Sequence, residues 1–450
     1  MIQIRIPEKV NTIIRTLAAA GQEAYAVGGC VRDALLGREP ADWDITTSAS
    51  PAEVKALFPR TIDTGIQHGT VTVMLGQEGF EVTTYRVDGA YEDGRHPKEV
   101  QFTRSLLEDL KRRDFTINAM AYNEEAGLVD EFDGAGDLER GIIRCVGRAE
   151  ERFMEDALRI MRAFRFSAQL GFTLEEQTRE AAGKLCGNLR KVSAERIQAE
   201  LVKLLTSPHP EKLRDAWEAG ITRVVLPEFD VCMACGQNNP HHIYSVGEHI
   251  LHSLQEVEAE KILRLTMLFH DFGKPVVKTT DEKGIDHFKR HQEVSEELAR
   301  TILRRLKFDN ETVRQVTKLV WCHDYHPALT AAGVRRAVNR IGEDLFPLYL
   351  KVQRADILAQ NPSMQGPKFQ ALGEVERLYE EIVREKDCIT LKDLAVDGRD
   401  LIKAGFPAGP LLGEILKDLL EQVLEEPGKN RKEELLLEAV RKYGKSNSAD

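Results

Sequence analysis

Two aspartates one residue apart, Asp42 and Asp44, follow closely on the run Gly28-Gly29-Cys30-Val31-Arg32-Asp33. In a strand, residues i and i+2 point to the same face, so Asp42 and Asp44 are expected to converge. Two such oxygen ligands suit Mg²⁺, which takes few protein carboxylates and completes its octahedron with water and substrate phosphate. Gly28 and Gly29 come straight after the apolar run Ala24 to Val27, and a glycine pair after a strand lets the backbone approach a bulky ligand. Arg32 adds a planar fork of donors for phosphate. Strand, Gly-Gly loop with an arginine, then Asp-x-Asp is the order expected of a nucleotidyl-transfer site, with phosphates on the loop and two metals on the aspartates. Glu81, in a strand-like segment, is a candidate third carboxylate.

A second constellation is Glu155-Asp156-Ala157-Leu158-Arg159-Ile160-Met161-Arg162-Ala163-Phe164-Arg165. Read as one helix, with about 100° per residue, it gathers Asp156, Arg159 and Arg162 on one face and sends Leu158, Met161 and Phe164 to the other. Ion pairs on a helix surface use the same spacing. The chemistry offers more. Cytosine and adenine share an exocyclic amine beside a ring nitrogen acceptor, and uracil and guanine show the reverse. A carboxylate accepting from the amine and an arginine donating to the ring nitrogen would select C and A, because a mismatched buried polar group costs about 1–3 kcal/mol.

A third set lies mid-chain: His249, then His270-Asp271 with Lys274 close behind, then His287, His291, His323 and Asp324. Imidazole and carboxylate together suit a divalent metal with open positions for water. Cys232 and Cys235 have no second pair at finger-like spacing, so no zinc is expected there.

These residues need elements to carry them. Residues 7 to 20 have Val10, Ile13, Ile14 and Leu17 at helical spacing, Thr70 to Leu75 and Phe80 to Tyr85 are strand-like about a turn at Gly76 to Gly79, and Ile142 to Val146 reads as a further strand. After Glu150 the pattern becomes helix after helix, with breaks near Pro208, Pro240 and Pro362. The expected fold is α+β, a head followed by all-α regions. At 450 residues, two to four domains are expected. Hydrophobic content of 42 % and 30 % charge suit a globular protein, seven cysteines form no disulfide framework, and the absence of a long apolar run or leader pattern makes the cytoplasm the expected location. A net charge of −11 argues against wholesale polyanion binding while allowing local basic patches.

Gly28-Gly29-x-Val31-Arg32-Asp33 with Asp42-Trp43-Asp44 resembles the signature of the DNA polymerase beta superfamily, and more narrowly that of the class II tRNA nucleotidyltransferases, the CCA-adding enzymes, and their poly(A) polymerase relatives. Arg112-Arg113-Asp114-Phe115-Thr116-Ile117-Asn118-Ala119 and Glu155-Asp156-x-x-Arg159 with Arg162-x-x-Arg165 match the same family. The resemblance implies a polymerase-beta-like head at 1–146, a helical neck at 147–236 carrying the base-selecting helix, an HD metal-binding domain at 237–335 and a tRNA-binding body and tail at 336–450. It implies catalytic Asp42 and Asp44 holding two Mg²⁺, and nucleotide contacts from Gly28, Gly29, Arg32, Arg113, Asp156, Arg159, Arg162 and Arg165. Glu155 and Asp114 would support these, the latter joining palm to neck. The loop Asp88 to Pro97 is similar to the flexible loop the family uses to add the terminal A.

The order His…His-Asp…Asp is similar to the HD phosphohydrolases, which implies His249, His270, Asp271 and Asp324 as ligands of a divalent metal, with His287 and His291 offered for a second. That module would either hydrolyse a phosphate at an RNA end or serve as an RNA-contacting bundle. The implied activity is template-independent addition of CCA to tRNA from CTP and ATP, with release of pyrophosphate. Alternatives are an enzyme adding only A or only CC, a poly(A) polymerase, or, from another class, an HD phosphohydrolase acting on RNA ends.

Overall fold

The computed structural model describes residues 3–88 and 100–444. The expected adenylation loop, Asp88 to Pro97, lies outside the described residues from position 89 onward, as does the tail beyond Gly444. Contacts divide the chain into two compact units, Met1–Asp230 and Val231–Asp450.

The first unit opens with α1 (Glu8–Ala19), which buries Val10, Ile13, Ile14 and Leu17, the stripe its spacing predicts. There follow β1 (Ala24–Val27), α2 (Gly29–Leu35), β2 (Ile45–Thr47), α3 (Pro51–Leu57), β3 (Thr61–Gly65), β4 (Thr70–Leu75), β5 (Glu78–Thr84), β6 (Arg86–Asp88), β7 (Val100–Phe102), α4 (Leu106–Lys111), β8 (Ala121–Asn123), β9 (Gly127–Val129) and α5 (Gly134–Arg140). Among the described residues one seven-stranded sheet runs β3-β4-β5-β2-β1-β8-β9. The β2–β5 pair is parallel and the others are antiparallel. Alternation in β4 buries Val71 and Val73, as period-2 patterning requires.

Register is what builds the rim of this sheet. Ala26 pairs with Ile45, and Ile45 with Val82, while the Val27 N–H donates to the Asp44 carbonyl at 3.0 Å. Asp44, the residue just before β2, is therefore level with Glu81 inside β5, and Gly28 is the first residue beyond the end of β1. Asp42 and Asp44 lie just before β2, not within a strand as expected. The reason is local: Gly28 takes φ +82° and turns the chain into α2, so β1 does not continue alongside residues 42–43.

The helical part of this unit comprises α6 (Ala149–Glu155), α7 (Leu158–Leu170), α8 (Glu176–Leu185), α9 (Ala194–Leu205), α10 (Leu213–Glu218) and α11 (Thr222–Val225). The structure departs from the sequence pattern at two places in this part. The strand at 142–146 is only β10 (Ile142–Ile143), paired in parallel with β11 (Thr173–Leu174), while Cys145 makes an isolated bridge to Phe115. The helix from Glu155 to Arg165 is broken. Asp156 adopts φ −141° and ψ 106°, ending α6, and its Oδ1 accepts from the Leu158 N–H at 3.0 Å. A short carboxylate that captures a nearby backbone donor competes with the helix it sits in.

α12 (Pro227–Ala234) crosses the division between the units. The second unit holds α13 (Val246–Gln255), α14 (Lys261–Phe269), α15 (Lys274–Val277), α16 (His291–Arg305), α17 (Asn310–Cys322), α18 (Ala331–Ile341), α19 (Phe346–Leu358) and α20 (Pro362–Glu385). Tail helices Gly398–Lys403, Pro410–Glu425 and Lys432–Tyr443 close over Leu401, Ile415, Leu419, Val423 and Leu435. Among the described residues no helix is long and apolar enough to cross a membrane. Arg335 of α18 ties this tail down. It is 6 % exposed, pairs with Asp387 at 2.8 Å and donates to the carbonyls of Leu424 and Glu425 at 2.6 and 3.1 Å. Arg335→Met leaves the Asp387 charge and two carbonyls uncompensated, and urea denaturation is expected to show a loss of about 3 kcal/mol.

Candidate functional site

At the sheet rim, Asp44 has Glu81 and Asp42 as neighbouring charges. Its carboxyl is pushed above the ordinary aspartate value, first by desolvation, then by repulsion from Glu81 and Asp42, with Arg113 pulling the other way. A site where carboxylates crowd in this manner has the donor set for a divalent cation. Gly28 borders it, and a Cβ there would stand 2.9 Å from Arg113 Nη1. The glycine thus admits the Arg113 guanidinium to the rim.

Around that rim the arginines are held in place by acids. Buried Asp109 takes Arg112 at 2.7 Å and Arg113 at 3.4 Å. Arg32 forks onto Asp33 at 2.9 and 3.0 Å and donates to Asn118 Oδ1 at 2.7 Å. Asn118 in turn donates to Asp114 Oδ1 at 3.2 Å, and Arg162 Nε donates to Asp114 Oδ2 at 2.7 Å. The head motif is so joined to α7 through one buried carboxylate. The guanidinium groups of Arg32, Arg162 and Arg165 stand 5.1, 5.5 and 3.8 Å from the centre of the Phe166 ring, a favourable place for cations on an aromatic face. Burial pushes Asp114 up, but the charges of Arg162 and Arg159 and the bonds from Arg162 and Asn118 bring it down to about 2.

Asp156 and Arg159 are both largely enclosed, and each is anchored by a different partner. Asp156 Oδ2 accepts from Arg196 of α9 at 2.7 Å. Arg159 pairs with Glu155 at 2.5 Å and donates to the Arg112 carbonyl at 3.1 Å. On the hidden side of α7, Leu158, Met161 and Phe164 are buried.

In the second unit, four imidazoles converge, three of them from helix ends. His249 lies on α13, His270 caps α14, His291 opens α16 and His323 caps α17. Each Nδ1 faces a backbone carbonyl: His249 that of Ala359 at 3.2 Å, His270 that of Met267 at 2.7 Å, His291 that of Phe288 at 2.9 Å, and His323 that of Val320 at 2.6 Å. A carbonyl only accepts, so Nδ1 carries the hydrogen and Nε2 is left with a lone pair. Yet the Nε2 atoms of His249 and His270 are 3.1 Å apart, and those of His291 and His323 are 3.0 Å apart. Facing lone pairs at this distance call for a cation between them.

Asp271 serves both pairs. Its Oδ2 lies 3.5 and 3.4 Å from His249 and His270, and its Oδ1 lies 3.3 and 3.6 Å from His291 and His323. Asp356 of α19 adds an oxygen 2.9 Å from His249. Gly273 lets these ends meet, since a Cβ there would press within 2.3 Å of the His291 carbonyl. Lys274 reaches Asp271 at 2.7 Å. The cluster opens onto a cavity of about 680 Å³ lined by Lys274, Lys289 and Lys368 on one hand and by Phe288, Leu372 and Val375 on the other.

The family models described as "Poly A polymerase head domain", "Probable RNA and SrmB- binding site of polymerase A" and "tRNA nucleotidyltransferase domain 2 putative" match residues 24–144, 171–233 and 279–440. The CCA-adding enzyme of Lactiplantibacillus plantarum is 37 % identical over 97 % of both chains, and that of Levilactobacillus brevis is 38 % identical over 93 % of both. The chain belongs to the family of CCA-adding enzymes. The fold agrees: the crystal structure of the Bacillus stearothermophilus CCA-adding enzyme in complex with CTP matches 97 % of this chain and 98 % of its own, at 32 % identity and a TM-score of 0.72.

For this CCA-adding family member, the residues expected from the sequence fall into place unevenly. Gly28, Gly29, Arg32, Asp42, Asp44, Arg113 and Asp114 gather about the head rim and its arginines, and Glu155, Asp156, Arg159 and Arg162 at the α6–α7 junction. Arg165 shares the Phe166 ring with Arg32 and Arg162 but is enclosed. It is 7 % exposed and bound to Glu200 of α9 at 2.6 Å, because its step round α7 turns it inward. Asp324 does not join the histidines either: its side chain is half exposed with His326 at 4.0 Å, and Asp356, a helix and a half further on, stands in its place. His287 pairs with Asp281 at 2.9 Å instead of with His291. Asp109, Arg196, Glu200 and Asp356 carry no motif of their own, and only packing reveals them.

The depressed Asp114 supplies stability above the unfolded aspartate value near 3.9, and this is lost as pH falls toward about 2. The unfolding free energy of the wild type from urea denaturation is expected to lose a component of about 2.6 kcal/mol across that window. Asp114→Asn is expected to be weaker at neutral pH and to lack that component.

Proposed function

We propose that this protein adds C, C and A to the 3′ ends of tRNA without a nucleic-acid template, using CTP and ATP and releasing pyrophosphate in the cytoplasm. What carries this reading is the coincidence, in a chain that matches CCA-adding enzymes along 97 % of its length, of an acidic sheet rim with an Asp156–Arg159 pair beside it. The solved relative bound to CTP supports the choice of nucleotide.

Asp42 and Asp44 would hold two Mg²⁺ ions, with Glu81 as a neighbour. When bound, such ions raise the acidity of an attacking hydroxyl and neutralise triphosphate charge. The remaining work falls to the chain's own side chains. Arg113 and Arg32 hold phosphate charge at the rim. Asp156 accepts from the exocyclic amine of cytosine or adenine, and Arg159 donates to the neighbouring ring nitrogen. Arg162 fixes α7 to the head through Asp114. The tRNA 3′-hydroxyl attacks the α-phosphate, the new phosphodiester forms, and pyrophosphate leaves. The RNA is held through backbone and shape, since all tRNAs must be accepted.

With tRNA lacking its 3′ end, incorporation is expected from CTP alone and completion from CTP with ATP. An A-only enzyme would leave CTP unused, a CC-only enzyme would leave ATP unused, and a poly(A) polymerase would extend with ATP without limit. Asp42→Ala with Asp44→Ala is expected to abolish incorporation while leaving the melting temperature near the wild-type value.

The facing Nε2 pairs favour a second reading for the other unit, a metal-dependent phosphohydrolase centre. His249, His270 and Asp271 would hold one ion, with Asp356 beside them at 2.9 Å from His249, and His291, His323 and Asp271 a second. The lysines of the cavity suit phosphate and its apolar wall suits a nucleobase, so the substrate class is a phosphate ester at a nucleotide. Elemental analysis of purified protein is expected to find transition metal that falls in His249→Ala and His323→Ala, with CTP incorporation unchanged in both. Metal content equal to that of the wild type in both variants would remove this reading.

A further inference from the structure

We infer that α9 is the element that sets the base-selecting geometry, and that Arg196 is the positioning residue through which it acts. The inference rests on the assignment of Asp156 and Arg159 to base selection made above. Asp156 lies outside any helix, on the extended joint between α6 and α7. Backbone in that conformation does not by itself aim a side chain. Two bonds do so: the Leu158 N–H on Oδ1 at 3.0 Å and the Arg196 guanidinium on Oδ2 at 2.7 Å. Each carboxylate oxygen has two lone pairs, so both bonds can be kept while Asp156 accepts a further donor.

Arg196 does not act alone on α9. Glu200, one turn further along the same face, pairs with Arg165 at 2.6 Å, and both members are buried, at 5 % and 7 % exposure. One helix thereby grips α7 at its start and its middle with two ion pairs of opposite sense. Arg159 is held by other elements, Glu155 of α6 and the Arg112 carbonyl. The two halves of the selecting pair are consequently fixed by separate parts of the fold, and α9 determines where the acceptor stands relative to the donor.

Releasing Asp156 has an asymmetric consequence. For CTP and ATP, the carboxylate must be ordered again at each binding event. For UTP and GTP, whose carbonyl would oppose a fixed carboxylate, a free side chain can swing aside. Discrimination should fall, with the chemical step little affected.

The test is single-nucleotide incorporation onto tRNA lacking its 3′ end, with CTP, ATP, UTP and GTP, by the full-length wild type, Arg196→Ala, Arg196→Lys, Asp156→Ala and the Asp156→Ala/Arg196→Ala pair. Arg196→Ala is expected to raise KM for CTP and ATP about tenfold, with kcat for CTP within about twofold. The kcat/KM for UTP should not fall, so the preference for CTP over UTP drops about tenfold. Arg196→Lys should recover most of that preference, and in the pair the alanine at 196 should add no further loss. An equal loss for CTP and UTP, or an unchanged preference in Arg196→Ala where Asp156→Ala destroys it, overturns the role of Arg196. A preference that survives Asp156→Ala overturns the base-selection reading itself, and this inference with it. Melting curves accompany each variant. If Arg196→Ala does not fold, Arg196→Met, which keeps the aliphatic stem, takes its place with the same expected values.

Discussion

The ion pair between Asp114 and Arg162 is the constraint on which the first unit depends. Asp114 belongs to the head, two residues before the short turn that carries Asn118, and Arg162 lies in the middle of α7. Their bond is short and enclosed, at 2.7 Å. Through Asn118 it reaches Arg32, and through the shared Phe166 ring it gathers Arg32 and Arg162 again. Phosphate-holding and base-reading parts of a polymerase must keep a fixed separation, because an incoming nucleotide touches both at once. A flexible join would force each nucleotide to order the site before reacting. A buried carboxylate with several donors meets this need, since any displacement leaves it uncompensated.

The same economy appears at the sheet rim. Gly28 just after β1, Asp44 just before β2 and Glu81 within β5 are brought together by the register of Ala26 with Ile45 and Ile45 with Val82. Slipping either pair by one residue would turn the next side chains to the other face. The acidic rim is thus secured by the backbone ladder, with the arginines of α2, of the turn after α4 and of α7 set around it by their own acids.

The second unit solves a different problem with helix ends. Three of its four central histidines cap or open a helix, and each turns Nδ1 to a carbonyl three residues earlier. That local bond orients the ring and leaves Nε2 free to act as a ligand, an arrangement that needs no long-range contact for each ring taken alone. Bringing four such rings and Asp271 to one point requires α13, α14, α16, α17 and α19 together.

Much of this was legible in the amino-acid sequence because it is local. The stripe of α1, the alternation of β4, the Gly28 to Asp44 signature and the Arg112 to Ala119 motif all express short-range periodicity or chemistry carried within a few residues. So does the presence of a His-rich, acid-bearing segment in the middle of the chain. Tertiary structure alone decided what those residues meet. It broke the helix at Asp156, since a side chain that captures the Leu158 N–H outweighs a periodic pattern. It turned Arg165 inward to Glu200, and it supplied Arg196 to Asp156. It replaced Asp324 by Asp356, because a ligand set is chosen by which helix passes the point of convergence, and sequence proximity to a histidine has no bearing on that.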